Sequence, residues 1–400
     1  MKSGWQIGSI FGIPLHLDPS WFFILALFTF SYGAVWQRTP WGAAGVGWIA
    51  GFIMALLLFA SVLLHELGHS LVARSQGIQV NSITLFLFGG IASINQESKT
   101  PAQAFQVAIA GPTVSFLLSI LLWILGLSFP LSAPARTVLT SLAEINLVLA
   151  LFNMIPGLPL DGGQVLKAAV WKATGSRIKG VRWAARVGQA LGWFGIIFGL
   201  GAAFTQGISF LWIALLGWFG VRNASAYSSI TDLQEALMNL NAGMAMTRDF
   251  RVVDANMLLQ QFANEYLLNE NQSLIYYASS EGRYRGIVSS DELRDIERSL
   301  WDKQSIQRIV HPLDEIPSVR ENTPLTQVVD QLEAQSLRRI TVLSPAGAVA
   351  GVIDRGDVVK TLAQKLNIPI PEAVIKRIKE EGIYPPGLQL HAIAKSAIDP

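Results

Sequence analysis

The chain has no cysteine. That excludes disulfides and thiolate metal sites, and leaves the redox compartment undecided. Charge is scarce too: Asp, Glu, Lys and Arg make up 14% of 400 residues, while 51% are hydrophobic. An ordinary soluble protein of this length carries about a quarter charged residues, so a multispanning membrane protein with a soluble part is the better fit. The scarcity is uneven: residues 1–220 are poor in charge and residues 231–400 are ordinary. A net charge of +2 gives no footprint for nucleic acid, and none is expected as a partner. The first apolar run starts near Trp21 without a small-residue cleavage site, so no cleavable signal peptide is expected. Histidine is rare as well, five in the chain.

Two of those five stand in the stretch Ser61 to Arg74, S-V-L-L-H-E-L-G-H-S-L-V-A-R. His65, Glu66 and His69 form an H-E-x-x-H pattern. On a helix, residues four apart project from one face, so both imidazoles can hold one metal ion. Neutral imidazole is a good zinc ligand, and a carboxylate beside the zinc water can take its proton. With five histidines, a chance match has odds on the order of a few in a thousand. The rival reading is a polar cluster that pairs helices inside a membrane. It is weaker, because intramembrane Glu and His are costly and default to function.

Six membrane spans are expected: Trp21–Trp36, Gly45–Arg74, Phe105–Leu127, Val138–Ile155, Ala184–Phe204 and Ile208–Val221. The stretch 79–94 is rich in β-branched and aromatic residues around Gly89-Gly90 and reads as a hairpin. With the N-terminus inside, the inner segments hold Lys2, Arg74, Lys99, Lys167, Lys172, Arg177, Lys179, Arg182 and Arg186. The outer loops hold Arg38 and Arg136. Nine against two places both termini in the cytoplasm.

Two histidines need a third protein ligand, with the fourth position left for water. The candidates are Glu144, Asp161, His16 and Asp18. His16 and Asp18 read better as part of a turn before the first helix. Glu144 lies about 17 residues before Asp161, near the outer end of its span, too far along a helix to share the site. Asp161 follows a helix break forced by Pro156, Gly157 and Pro159, and precedes Gly162-Gly163. It is the favoured ligand; its other reading is an N-cap for a helix over 164–174.

H-E-L-G-H at 65–69 together with N-M-I-P-G-L-P-L-D-G-G at 153–163 resembles the site-2 protease family of intramembrane zinc metalloproteases. G-I-P-L-H-L-D-P-S near the start, L-F-G-G at 87–90 and A-G-P at 110–112 are similar to that family too. The resemblance covers roughly residues 1–225. It implies one catalytic Zn2+ held by His65, His69 and Asp161, with Glu66 as general base and Asn153 at the substrate or oxyanion. It also implies that the hairpin near Leu85–Phe88 holds an unwound substrate segment. The family often has Pro-x-Pro-x-x-Asp; here Gly157 and Leu158 separate Pro156 from Pro159, which puts no ligand in doubt.

The soluble half contains a repeat. Val253, Asn256, Leu259 and Gln261 recur as Val319, Asn322, Leu325 and Gln327, and the stretch 286–292 recurs at 351–357. Each copy reads helix, strand, strand, helix; in the first these are Leu258–Leu268, Leu274–Tyr277, Arg285–Val288 and Asp291–Ser299. A tandem of this size is similar to a CBS-domain pair. That resemblance implies a homodimer through the pair and, in many members, an adenine nucleotide on a Gly-x-x-Thr/Ser-x-x-Asp motif. Here the acid positions are Glu292 and Asp357, and both copies depart from the pattern.

The expected architecture is a polytopic α-helical membrane domain of about six spans, with a small sheet near the cytoplasmic face, plus a soluble α/β tandem CBS domain. The expected division is a protease domain at 1–228, a linker at 229–239, repeats at 240–300 and 309–366, and a tail at 367–400 to which no role is assigned. The expected function is cleavage of membrane-anchored substrates in the plasma membrane of a prokaryote, regulated by the cytosolic pair. A CBS-gated transporter or channel explains the membrane domain and the repeat but not the paired motifs. The intact ligand set argues against a silent receptor of the same fold.

Overall fold

The computed structural model describes residues 4–87, 89–94, 98–268, 275–385, 388 and 390–398. Lys2, Phe88 at the expected hairpin tip, Leu274 and Pro386 lie outside the described residues. The chain divides into two compact units, 1–231 and 232–400.

The first unit opens with β1 (Trp5–Ile10) and β2 (Ile13–Leu17), then α1 (Ser20–Trp36) and α2 (Val46–Ser75). A second hairpin follows, β3 (Val80–Phe86) and β4 (Gly89–Ile94). Then come α3 (Pro101–Ser128), α4 (Ala133–Asn153), α5 (Asp161–Thr174), α6 (Arg177–Gln206) and α7 (Leu211–Asn239). Local chemistry sets several of these boundaries. Thr100 caps α3 through Gln103 N, with Pro101 in the first turn where no donor is needed. Ser176 caps α6 in the same way. Gly175 ends α5 in the left-handed conformation.

The two hairpins form one sheet, ordered β1-β2-β3-β4, with β2 and β3 parallel. His16 sits in the middle of β2, in register with Gln6 and Thr84. Asp18 accepts from the backbone N and the Oγ of Ser20, and Ser20 Oγ accepts from Leu87 N, tying the sheet to the start of α1. Asp18 serves the sheet-to-helix turn as expected, whereas His16, expected in that turn, is a strand residue of the sheet. Ile13, Leu15, Ile83 and Leu67 form a small core that seats the sheet on α2.

Among the described residues, five helices are long and apolar enough to cross a membrane: Ala43–Ser75, Pro101–Ser128, Ala133–Asn153, Arg177–Gln206 and Ile208–Asn239. The expected first span, α1, is apolar but has 17 residues, a rise of roughly 25 Å against a hydrocarbon core of about 30 Å. Large apolar side chains such as Phe23, Val148, Phe194 and Ile197 point outward from the bundle. Lipid is the solvent for such a surface. The unit is a helical membrane domain. Its last helix runs through the expected linker at 229–239 without a break.

The second unit holds α8 (Ala242–Ala245), β5 (Phe250–Asp254), α9 (Leu259–Phe262), β6 (Ile275–Ser280), β7 (Arg283–Val288) and β8 (Val310–Pro312). These are followed by β9 (Ser318–Arg320), α10 (Leu325–Ala334), β10 (Arg339–Leu343), β11 (Val349–Asp354), α11 (Arg355–Lys365), α12 (Glu372–Glu381) and α13 (Leu390–Ile398). The sequence repeat is a structural one. β5 pairs parallel with β6 and β6 antiparallel with β7; β9, β10 and β11 do the same. The matched Leu259 and Leu325 are both fully buried. This is the second of the two expected parts of the chain, an α/β tandem repeat.

The copies part at their last helix. Asp354 and Asp357 cap α11 reciprocally, and it runs 11 residues. The expected helix at Asp291–Ser299 is instead two short 3-10 turns, Glu292–Asp295 and Arg298–Leu300. The first of these has no side-chain cap, and Trp301 Nε1 donates to the carbonyl of extended Ile296 between them. The tail is part of the second copy's core: Ile375, Ile378, Leu390 and Ala394 pack with Leu332, Val359 and Leu362.

Arg355 is buried at the start of α11. It donates to Glu333 Oε1 at 2.6 Å and to the carbonyls of Leu337 and Leu332, and it lies over the Tyr384 ring. Arg355→Ala leaves a carboxylate and two carbonyls short of a donor, a loss of roughly 3 kcal/mol. In the whole protein, amide exchange across β10 and α11 should then accelerate by about a hundredfold, with α2 to α4 unchanged.

Candidate metal centre

α2 is unbroken through residues 65–69, so His65 and His69 stack one turn apart on one face. Their Nε2 atoms are 3.2 Å apart and their rings meet edge to face. Asp161 comes from the far side of the helix break. Leu160, with no side-chain bond, holds the N-cap position of α5, and Asp161 is the first helical residue. Its carboxylate is therefore not used as a cap. Oδ2 lies 3.1 Å from His65 Nε2, and Oδ1 lies 3.4 Å from His69 Nε2. Among the described residues, His65, His69 and Asp161 are the one group of three such side chains with ligand atoms this close. Glu144, His16 and Asp18 are not in it.

Glycines make the approach possible. A Cβ on Gly111 of α3 would run into His69 Nε2 and stand 2.6 Å from His65 Nε2. On Gly162 it would lie 2.5 Å from the Ile155 carbonyl oxygen, and on Gly163 2.7 Å from that of Gly157. The turn at 154–160 thus folds back onto the first turn of α5, backbone against backbone. Gly188 of α6 closes on the same turn at Leu158. A Cβ on Gly90 of β4 would be 2.5 Å from Glu66 Cγ, and the Ala92 backbone N–H bonds Glu66. The hairpin therefore lies directly on the carboxylate beside the two histidines.

The outer nitrogens of both rings are also held. His69 Nδ1 is 2.6 Å from the Val107 carbonyl, which can only accept. That fixes the proton on Nδ1 and leaves a lone pair on Nε2 of the neutral ring. His65 Nδ1 is 2.9 Å from Ser115 Oγ, on a side chain with no solvent exposure. Ser115 and the Val107 carbonyl carry no sequence signal of their own, because only the packing of α3 on α2 brings them there. Asn153 is the half-buried last residue of α4, where the chain enters the turn to Asp161. In the soluble unit, Glu292 pairs with His311 at 2.6 Å and Asp357 with Lys379 at 2.6 Å.

His65 Nε2 and His69 Nε2 are 3.2 Å apart, and each faces a different oxygen of Asp161, at 3.1 and 3.4 Å, distances close to the edge of a tetrahedral zinc site. Bonds of about 2.0–2.1 Å to a zinc ion give edges of about 3.3–3.4 Å. Two imidazole nitrogens and one carboxylate oxygen are also the donor set of a catalytic zinc with a fourth position for water. Gly111→Ala should abolish retention of zinc. Ser115→Ala should weaken it by roughly 10–100-fold, as loss of the hydrogen bond behind a ligating histidine does. Metal content after dialysis against graded chelator measures both.

Residues 53–133 and 131–195 match Peptidase family M50, and residues 307–364 match the CBS domain. The chain is 41% identical to "Putative zinc metalloprotease sll0528" of Synechocystis over 364 residues, 90% of this chain and 96% of that protein. It is 28% identical to "Zinc metalloprotease MJ0392" of Methanocaldococcus jannaschii over 90% of this chain and 96% of that one. A solved structure, the site-2 protease from Methanocaldococcus jannaschii, aligns with 56% of this chain and 95% of its own at 30% identity and a TM-score of 0.42. Identity of 41% carried across nearly the full length of both chains is decisive: the chain belongs to Peptidase family M50, the site-2 protease family, and bears a CBS domain in its second half.

Proposed function

We propose that this protein hydrolyses peptide bonds in or near transmembrane segments of membrane-anchored proteins. The observation that carries the reading is the convergence of His65, His69 and Asp161 at metal-ligand spacing inside an apolar helical bundle. Those three residues would hold one zinc ion. Bound there, zinc supplies an acidified water and a polarised scissile carbonyl. Glu66, one residue from His65 and gripped by β4, accepts the water proton and hands it to the leaving amine. Asn153 positions the substrate carbonyl or donates to the oxygen that becomes negative.

A helical substrate has its amides locked in hydrogen bonds and must unwind before attack. β4 ends the sheet order β1-β2-β3-β4 and offers an edge beside Glu66. An extended substrate segment adds there as a further strand. The bias of Lys and Arg toward the inner loops supports a cytoplasmic position for both termini and for the site, in the plasma membrane of a prokaryote. The protease domain is assigned to 1–228. The tandem CBS pair at 240–366 is assigned a regulatory role, with homodimerisation through the pair and an adenine nucleotide at Glu292 and Asp357. The structural repeat supports the pair, since both copies share strand order and buried positions.

Reconstitution with a single-span substrate tests the reading. Glu66→Gln should keep its zinc and lose roughly 10²–10⁴-fold in cleavage rate, the usual worth of a general base. Solute flux without cleavage in the same vesicles would point to a transporter and sink the protease reading. Asn153→Ala should lower kcat by about 10²–10³-fold with KM little changed, the mark of a group that acts in the transition state.

A further inference from the structure

The 367–400 segment carries no motif, yet its helix α12 sits on a cluster of acidic side chains in the second repeat. Ile375 and Ile378 of α12 are 4% and 3% exposed in the core of that repeat. Beside them, Lys379 turns inward. Its Nζ is 2.6 Å from Asp357 Oδ1, 3.6 Å from Asp249 Oδ2 and 3.7 Å from Asp354 Oδ2. Asp357 is 2% exposed and Asp354 7%.

The fit is built into the backbone as well. A Cβ on Gly356 would stand 2.5 Å from Lys379 Cγ and 3.1 Å from the Ile375 carbonyl oxygen. Only glycine at 356 lets the lysine stem cross the start of α11. At the other end of α12, Glu372 pairs with Lys360 at 3.0 Å. The cleft left beside the helix is lined by Thr247, Asp249, Lys360, Glu372 and Lys376. Its lining combines amines, which can meet a phosphate, with carboxylates, which can meet sugar hydroxyls.

Asp357 is also the acid at which a nucleotide is expected, so a cation from the chain itself stands where ligand hydroxyls would. The match is imperfect. Burial pushes the Asp357 carboxyl up to about 6 although Lys379 pulls it down and Asp354 pushes it further up. One ammonium does not offset the burial of two neighbouring aspartates.

We propose that α12 is a latch: Lys379 closes the carboxylate pair Asp354–Asp357 to external ligands, and that pair opens only when Lys379 withdraws. The identity of the ligand rests on the nucleotide reading above; the latch does not. In the latched state the competent fraction is small, and apparent affinity falls by that fraction. A ligand that takes the pair frees α12 in return.

The test uses the full-length protein, with two readouts: amide exchange over residues 372–381, and equilibrium binding of AMP, ADP and ATP. Lys379→Met should accelerate exchange in α12 by about tenfold or more and tighten nucleotide binding by a similar factor. Adding Asp357→Asn to that variant should remove the binding. In wild type, which needs no variant to fold, saturating nucleotide should accelerate exchange in α12. The latch is overturned if Lys379→Met leaves α12 exchange unchanged, or if nucleotide slows it in wild type, since the tail would then close over the ligand. If no nucleotide binds any variant while Lys379→Met still frees α12, the latch stands and the nucleotide reading falls.

Discussion

Two imidazole nitrogens and a carboxylate, held 3.1 to 3.4 Å from one another in an apolar bundle, need a proton or a metal ion among them to offset the buried negative charge. The first unit is arranged so that none of the three can escape that meeting. His69 gives its one proton to the Val107 carbonyl, so its inward nitrogen keeps a bare lone pair. His65 is held through its own outer nitrogen by the Ser115 hydroxyl, which can either donate or accept. Asp161 stands one residue past the cap position, so its charge is not absorbed by the start of α5. Each partner's alternative bond is already taken or lies out of reach. What remains is a site whose favourable state includes a positive ion.

Bringing three helices this close in lipid takes small residues, because no hydrophobic force presses helices together there. The bundle uses glycine twice over. Some pairs only pack: a Cβ on Gly51 would lie 2.6 Å from Gly33 N, and one on Gly192 would lie 2.7 Å from the Gly217 carbonyl oxygen. Others shape the chemistry: Gly111 beside the rings, Gly162 and Gly163 behind Asp161, and Gly90 on Glu66. Buried hydroxyls and amides tie the same helices. Ser119 donates to the Ala143 carbonyl, and Asn146 donates to Ser61 Oγ one turn before His65. At Gly90, Gly111, Gly162 and Gly163, packing and the geometry of the candidate metal centre therefore rest on the same close contacts.

What was legible in the chain follows from the range of each signal. H-E-x-x-H is local, and a helix of known pitch puts its two rings on one face. Asp161 was legible because Pro156, Gly157 and Pro159 force the break before it. Ser115, Val107 and Asn146 were not, because their partners lie 38 to 85 residues away and depend on how α2, α3 and α4 pack. The 229–239 stretch read as a linker, yet it is the end of α7, and Ala236 and Leu237 are buried in the core of the second repeat; so short a stretch shows too few turns for its apolar face to be read. Asp291–Ser299 read as a helix by offset from its copy, yet the reciprocal cap that nucleates α11 has no counterpart there.

That last difference also separates the two acids of the repeat. Glu292 meets His311 with both side chains close to half exposed, so water screens the pair and the contact is weak. Asp357 meets Lys379 with the carboxylate almost wholly covered. There, partners are hard to remove without replacement, because an uncompensated buried charge is far costlier than a surface pair is favourable. A group that arrives with its own donors can substitute for the ammonium; bulk salt cannot. Among the described residues, the acid of the second copy is the one that meets a core-packed helix, since Lys379 shares α12 with the buried Ile375 and Ile378.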